Sequence, residues 1–113
     1  TKLPKSAGGH VLVLVTCASH GEAHKIARHV VAERLAACVN IHESRVNSVY
    51  RWKGKVAQSR EFLLMIKTSS RHLARLRAAI ESLHSYDVPE FIALPIASGS
   101  PAYLRWLDES LRP

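Results

Sequence analysis

The segment that most limits what this chain can fold into is His10–Cys17, HVLVLVTC. It is short, apolar and rich in β-branched side chains, which reads as a strand. It does not alternate polar with apolar residues, so burial on both faces is expected. Something must then cover both sides of the sheet it joins. The chain has 113 residues, 47% of them hydrophobic and 22% charged, enough for one domain around one core without disulfide or metal staples. Its longest pure apolar runs, five residues each and Val11–Val15 among them, fall far short of the roughly 18 residues of a membrane helix.

After this strand, Ser19-His20-Gly21-Glu22 has the Ser-x-x-Glu form of a capping box. Ala23, Ile26, Ala27, Val30, Val31 and Leu35 then recur at helical spacing, predicting a helix over 20–35. In Cys38–Trp52, Val39 and Ile41 share one parity while Val46, Ser48, Tyr50 and Trp52 share the other. An apolar stripe cannot change face in a straight strand, so the chain must bend or bulge near His42–Arg45. Trp52-Lys53-Gly54-Lys55 reads as a tight turn, with Gly54 accepting positive φ. The strand that follows, from about Val56 to Thr68, sends Phe62, Leu64 and Ile66 one way and Glu61, Leu63, Met65 and Lys67 the other. Ser69 or Ser70 caps a second helix with Leu73, Leu76, Ile80 and Leu83 as its stripe. Phe91–Ala97 is a further strand, and Ser100-Pro101 opens a C-terminal helix.

The order β-α-β-β-α-β plus a terminal helix predicts an α+β, ferredoxin-like antiparallel sheet with both crossing helices on one face. Residues 11–113 form the single domain, behind a flexible lead-in over residues 1–10. The other face still carries Leu63 and Met65, and another subunit is the simplest cover for it. Tyr50 and Trp52, on the long hairpin, are the expected interface anchors.

Sixteen basic against nine acidic residues give a formal charge of +7, but the basic residues are scattered and no run forms a nucleic-acid arm. An RNA-recognition domain of this topology needs stacking aromatics on its central strands. Val11–Val15 has none and Glu61–Lys67 has only Phe62. Thr16–Glu22, with one Gly and no Arg or Lys, is a poor phosphate cradle. Neither nucleic acid nor a membrane is expected as a partner, and no nucleophile–base pair points to an enzyme. Cys17 and Cys38 match no metal-finger or redox spacing. With no signal-peptide segment in residues 1–10, a reducing cytoplasm is expected. His20 and His24 have a helical spacing that can bind zinc, although two ligands alone make a weak surface site and a solvated helix face is the plain alternative.

Several ordered stretches carry a resemblance: Leu35-Ala-Ala-Cys-Val-Asn40, Tyr50-Arg-Trp-Lys-Gly54, Ile66-Lys-Thr68, His84-Ser-Tyr-Asp-Val-Pro-Glu90, and Leu94-Pro-Ile96 with Tyr103-Leu-Arg-Trp106. Together they resemble the CutA family of divalent-cation tolerance proteins over about residues 11–110. The family loop His-Pro-Tyr-Glu-x-Pro-Glu is altered here by Ser85 and Asp87. The resemblance implies a tight homotrimer whose sheet edges pair between subunits, and a link to copper and other divalent metals. Some members bind copper through a cysteine at the end of the first strand and two consecutive histidines. Here Val15 and Leu83 fill two of those positions and His84 the third, with Cys17 on the same strand parity as Val15.

The expected function is therefore a trimeric, non-enzymatic metal-response protein that requires no cofactor and has at most a weak copper site at His84 and Cys17. The alternative is a small-molecule sensor resembling the PII signalling proteins, with an intersubunit pocket lined by Glu61, Lys67, Tyr86 and Glu90. Lys67 is expected to pair with Glu61 or Glu90, because an unpaired buried lysine is costly. Reaching water from the strand end is its other option.

Overall fold

The structure, a computed structural model, describes residues 9–113. Most of the lead-in expected over residues 1–10 lies outside the described residues, and His10 already belongs to the first strand. The elements follow in the order β1 (His10–Cys17), α1 (His20–Ala32), β2 (Cys38–Ile41), β3 (Val46–Trp52), β4 (Lys55–Ser69), α2 (Leu73–Leu83), β5 (Ile92–Pro95) and α3 (Pro101–Leu111). A single 3-10 turn, Ser70–His72, leads into α2. This is the ferredoxin-like antiparallel sheet with an added C-terminal helix, with strand order β2-β4-β1-β5 and β3 paired to β4.

Strand β4 is the spine of the sheet. Its second half pairs with β1 in the register Cys17↔Phe62, Val15↔Leu64, Val13↔Ile66 and Val11↔Thr68. These residues share one face and are buried, with Val13, Val15, Leu64 and Ile66 fully so. The helices meet them through Ala23, Ile26 and Val30 of α1 and Leu76 and Ile80 of α2. The opposite face carries Leu12, Leu14, Leu63 and Met65, each only partly buried. At one end of the sheet, Leu107 and Leu111 of α3 join Ala37 in a smaller buried cluster, and Asp108 accepts a hydrogen bond from His10 at 2.9 Å.

The parity change between Ile41 and Val46 appears as a break between β2 and β3. Both strands pair with β4, on Leu64–Lys67 and Lys55–Glu61 respectively. Lys53 and Gly54 both take positive φ, 51° and 79°, as a two-residue hairpin turn requires.

Helix α1 ends three residues before the predicted position. Arg34 takes φ 57°, the Leu35 amide donates to the Val30 carbonyl at 2.9 Å, and the Arg34 amide donates to Val31 at 3.1 Å. These paired bonds form a Schellman close, which turns Leu35 back into the core. At its other end only half of the expected capping box forms. Ser19 Oγ accepts from the Glu22 amide at 3.1 Å, but the Glu22 carboxylate turns toward His84. Strand β5 is shorter than Phe91–Ala97: its ladder with β1 runs over Ile92–Pro95, and beyond it the Ile96 amide adds one bond to the His10 carbonyl at 2.9 Å.

Thr68 is fully buried and donates through Oγ1 to the Leu35 carbonyl at 2.7 Å, tying β4 to the end of α1. Thr68→Val keeps the shape but leaves that carbonyl without its hydroxyl donor. Chemical denaturation should show a loss of about 1–3 kcal/mol; a loss under about 0.3 kcal/mol would mean the bond does not support the close.

Candidate functional site

Two sets of polar residues meet where β1 runs out toward α1. The inner set is Cys17, Glu22 and His84, whose donor atoms lie within 4.8 Å of one another. Cys17 is the last residue of β1 and faces the helices, because it continues the parity of Val13 and Val15. His84 follows directly on α2, and its side chain has no exposure. Its Nε2 lies 3.8 Å from Cys17 Sγ and 2.8 Å from the Thr16 carbonyl. A carbonyl only accepts, so Nε2 carries the proton, and Nδ1 is then free to accept from the Tyr86 amide at 3.1 Å. Glu22 Oε2 lies 3.3 Å from Nδ1 and accepts from the Ser85 amide at 3.4 Å.

Burial, and then the charges of Glu22 and Glu61, push the Cys17 thiol up to about 12. At neutral pH it is a protonated thiol and not a nucleophile. A soft ion would find sulfur and imidazole nitrogen at a usable separation, with a carboxylate beside them. To bind, it would have to displace the thiol proton and take Nε2 from the Thr16 carbonyl. The donor set thus fits copper(I) in type and spacing, and its protonation works against tight binding.

The outer set lines an open cleft of about 610 Å3 that includes Thr16, Tyr50, Trp52, Glu61, Tyr86 and Glu90. Glu61 is buried and accepts from the Tyr86 hydroxyl at 2.7 Å. Burial and this bond raise the Tyr86 phenol above its ordinary value. The aromatic residues expected at a subunit interface, Tyr50 and Trp52, form the β3 wall of the same cleft and are exposed.

Lys67 does not join this cleft, and the expected pairing with Glu61 or Glu90 is not formed. Lys67 lies six residue steps along β4 from Glu61, about 20 Å. Its Nζ instead lies 4.0 Å from Cys38 Sγ, opposite Leu12. Glu22 is the site residue that sequence reasoning missed. Its place in the capping pattern accounted for it locally, and no sequence signal linked it to a histidine 62 positions later.

Glu90 stands at the cleft rim. Partial burial, and then the Glu61 charge, raise its carboxyl above the ordinary carboxylate range. A carboxyl whose value is raised on folding stabilises the fold when protonated, and that contribution is lost as pH rises through the folded value. Glu90→Gln should therefore be more stable than the parent at pH 7, and the advantage should vanish below about pH 4. Thermal melts across that range test the sign, and a less stable variant at pH 7 would reverse it.

With this geometry in view, the chain can be placed among known proteins. The family described as "CutA1 divalent ion tolerance protein" matches residues 11–110. The divalent-cation tolerance protein CutA of Thermus thermophilus is 46% identical over 99 residues, covering 88% of this chain and 95% of that protein. The solved structure of the Thermus protein superposes with a TM-score of 0.87, covering 89% of this chain and 97% of the other. CutA1 from Oryza sativa gives 0.89 at 42% identity, covering 96% and 98%. A match over nearly the whole described chain, in sequence and in fold, makes this protein a member of the CutA divalent-cation tolerance family.

Proposed function

We propose that this chain works as a homotrimeric, non-enzymatic metal-response protein whose Cys17–His84 pair takes copper(I) weakly. The observation that carries the metal reading is the 3.8 Å approach of Cys17 Sγ to His84 Nε2, with Glu22 beside them. A thiol pushed up to about 12 counts against a nucleophilic role, and the proton it holds at neutral pH keeps the copper(I) site weak. Cys17 and Cys38 are both free thiols, which suits the reducing cytoplasm expected from the sequence. Among the described residues, no helix is long and apolar enough to cross a membrane.

Three features support the trimer. The β3–β4 ribbon runs past the body of the sheet, and β1 pairs with β4 only from Phe62 onward. One backbone edge of 55–61 is therefore open to another strand. Val49, Tyr50, Trp52, Val56, Ile92 and Leu94 are all exposed apolar side chains. The partly buried Leu12, Leu14, Leu63 and Met65 add to the surface a neighbour would cover. The alternative, a PII-like small-molecule sensor, draws on the cleft with Glu61, Tyr86 and Glu90. That lining is acidic and lacks Lys67, so it suits a cation better than a nucleotide.

Assembly and metal binding are tested separately. The wild type should sediment as a trimer at micromolar concentration, and Trp52→Ala should weaken assembly by about 2 kcal/mol or more. A monomeric wild type would end the trimer reading. For the metal, copper(I) titration under reducing conditions should show affinity falling about tenfold or more in both Cys17→Ser and His84→Ala. Because binding releases the Cys17 proton at any pH below about 12, affinity should rise about tenfold per unit between about pH 5 and pH 8. Equal affinity in all three proteins would remove both residues from the site.

A further inference from the structure

The start of α1 holds a second group of metal-type donors, set at the surface and apart from the Cys17–His84 pair. His20 and His24 stand one turn apart on the helix, and the β2–β3 break brings Glu43 over both of them. His20 Nε2 donates to Glu43 Oε1 at 2.8 Å, and His24 Nε2 donates to Oε2 at 3.2 Å. The two imidazole centroids are 4.1 Å apart, and all three donor atoms fall within 4.8 Å of one another.

The sequence offered only two ligands at this place. The third comes from a segment 19 residues beyond His24, delivered by the same parity-changing bend that separates β2 from β3. The cluster is also braced. His20 sets its edge on the Phe62 ring at 5.6 Å, and the Arg45 guanidinium lies over that ring at 5.2 Å, so the turn carrying Glu43 and the helix carrying His20 share one anchor. The three side chains remain 56%, 37% and 62% exposed for His20, His24 and Glu43, so an ion can reach them from solvent.

We propose that His20, His24 and Glu43 form a surface site for a divalent transition ion of the Zn2+ class. In a tetrahedral zinc site, neighbouring ligand atoms stand roughly 3.3 Å apart. The spacings here of 2.8 and 3.2 Å need to widen by only a few tenths of an ångström. The ion would take the two Nε2 positions that now face the carboxylate, and each imidazole would bind as its neutral Nδ1–H tautomer: a neutral ring moves its proton from Nε2 to Nδ1, and a doubly protonated ring releases one proton to solvent. Two imidazoles and one carboxylate select zinc-like ions over Mg2+ or Ca2+, and leave the remaining coordination position to water. This site does not depend on the copper(I) reading, since it shares no ligand with it. The competing role is an ion-pair latch that only holds the turn against α1.

The test titrates the full chain with ZnCl2 by calorimetry, comparing wild type with Glu43→Gln and with the His20→Ala/His24→Ala double variant. All three positions are solvent-facing, and circular dichroism checks the fold of each variant. The wild type should bind one Zn2+ per chain, with affinity reduced about tenfold or more in both variants. X-ray absorption at the zinc edge, with one equivalent loaded, should show a nitrogen and oxygen shell at about 2.0–2.2 Å and no sulfur at about 2.3 Å. Absent zinc binding, unchanged affinity in the double variant, or a sulfur-containing shell would each overturn the proposal. A sulfur shell would assign the zinc to a cysteine site instead.

Discussion

The hydrogen-bond ladder of β4 is the constraint on which the remaining structure depends. Its fifteen residues serve three partner strands: β3 along Lys55–Glu61, β2 along Leu64–Lys67, and β1 along Phe62–Ser69. A strand's side chains alternate with period 2, so once Phe62, Leu64 and Ile66 lie under the helices, Glu61, Leu63, Met65 and Lys67 must face the other way. The same register puts Cys17 opposite Phe62, at the last rung β1 makes with β4. Glu61 is the next residue, where β4 leaves β1 and continues only with β3. The inner cluster and the cleft meet at this junction because the sheet loses a strand there, leaving space that Tyr86 and His84 enter from the loop after α2.

Features governed by period were legible in the sequence. The stripe shift between Ile41 and Val46 required a break, and the break is there. Gly54 in a four-residue turn needed positive φ, and takes it. The end of α1 was less legible. Val31 and Leu35 continue the helical spacing, but Arg34 adopts the left-handed conformation usually left to glycine, and nothing in its side chain announces this. Leu35 still reaches the core, by way of the Schellman turn and not as a further helical residue.

The site divides in the same way. Strand parity put Cys17 on the face of Val15, and the family resemblance supplied His84, which the structure brings to 3.8 Å from it. Glu22 was hidden because a local pattern already explained it, and only tertiary packing reveals that its carboxylate lies 3.3 Å from His84 Nδ1. Lys67 shows the opposite error. Parity placed it correctly on the face of Glu61 and Met65, but sharing a face is not proximity, and the strand keeps it far from Glu61, the carboxylate beside which Glu90 lines the cleft. Glu43 was beyond reach for a third reason. Its encounter with α1 depends on how the chain turns between β2 and β3, which periodicity locates without specifying its path.

The electrostatics around Cys17 explain why a proton and a cation compete for the same place. Burial is the largest influence holding the proton on sulfur, and it opposes a bare thiolate whatever stands nearby. Glu22 and Glu61 come next, and they also oppose the thiolate. Their effect differs once a metal arrives. A cation bound to sulfur cancels the thiolate charge, and the two carboxylates then attract the ion that replaced the proton. The negative surroundings therefore favour either occupant over an empty thiolate, and the choice between them falls to pH and to the metal's affinity for sulfur. Removing Glu22 would lower the cost of forming the thiolate and also remove a charge that favours the cation. The two changes oppose one another in metal affinity, whereas both act in the same direction on the thiol's proton.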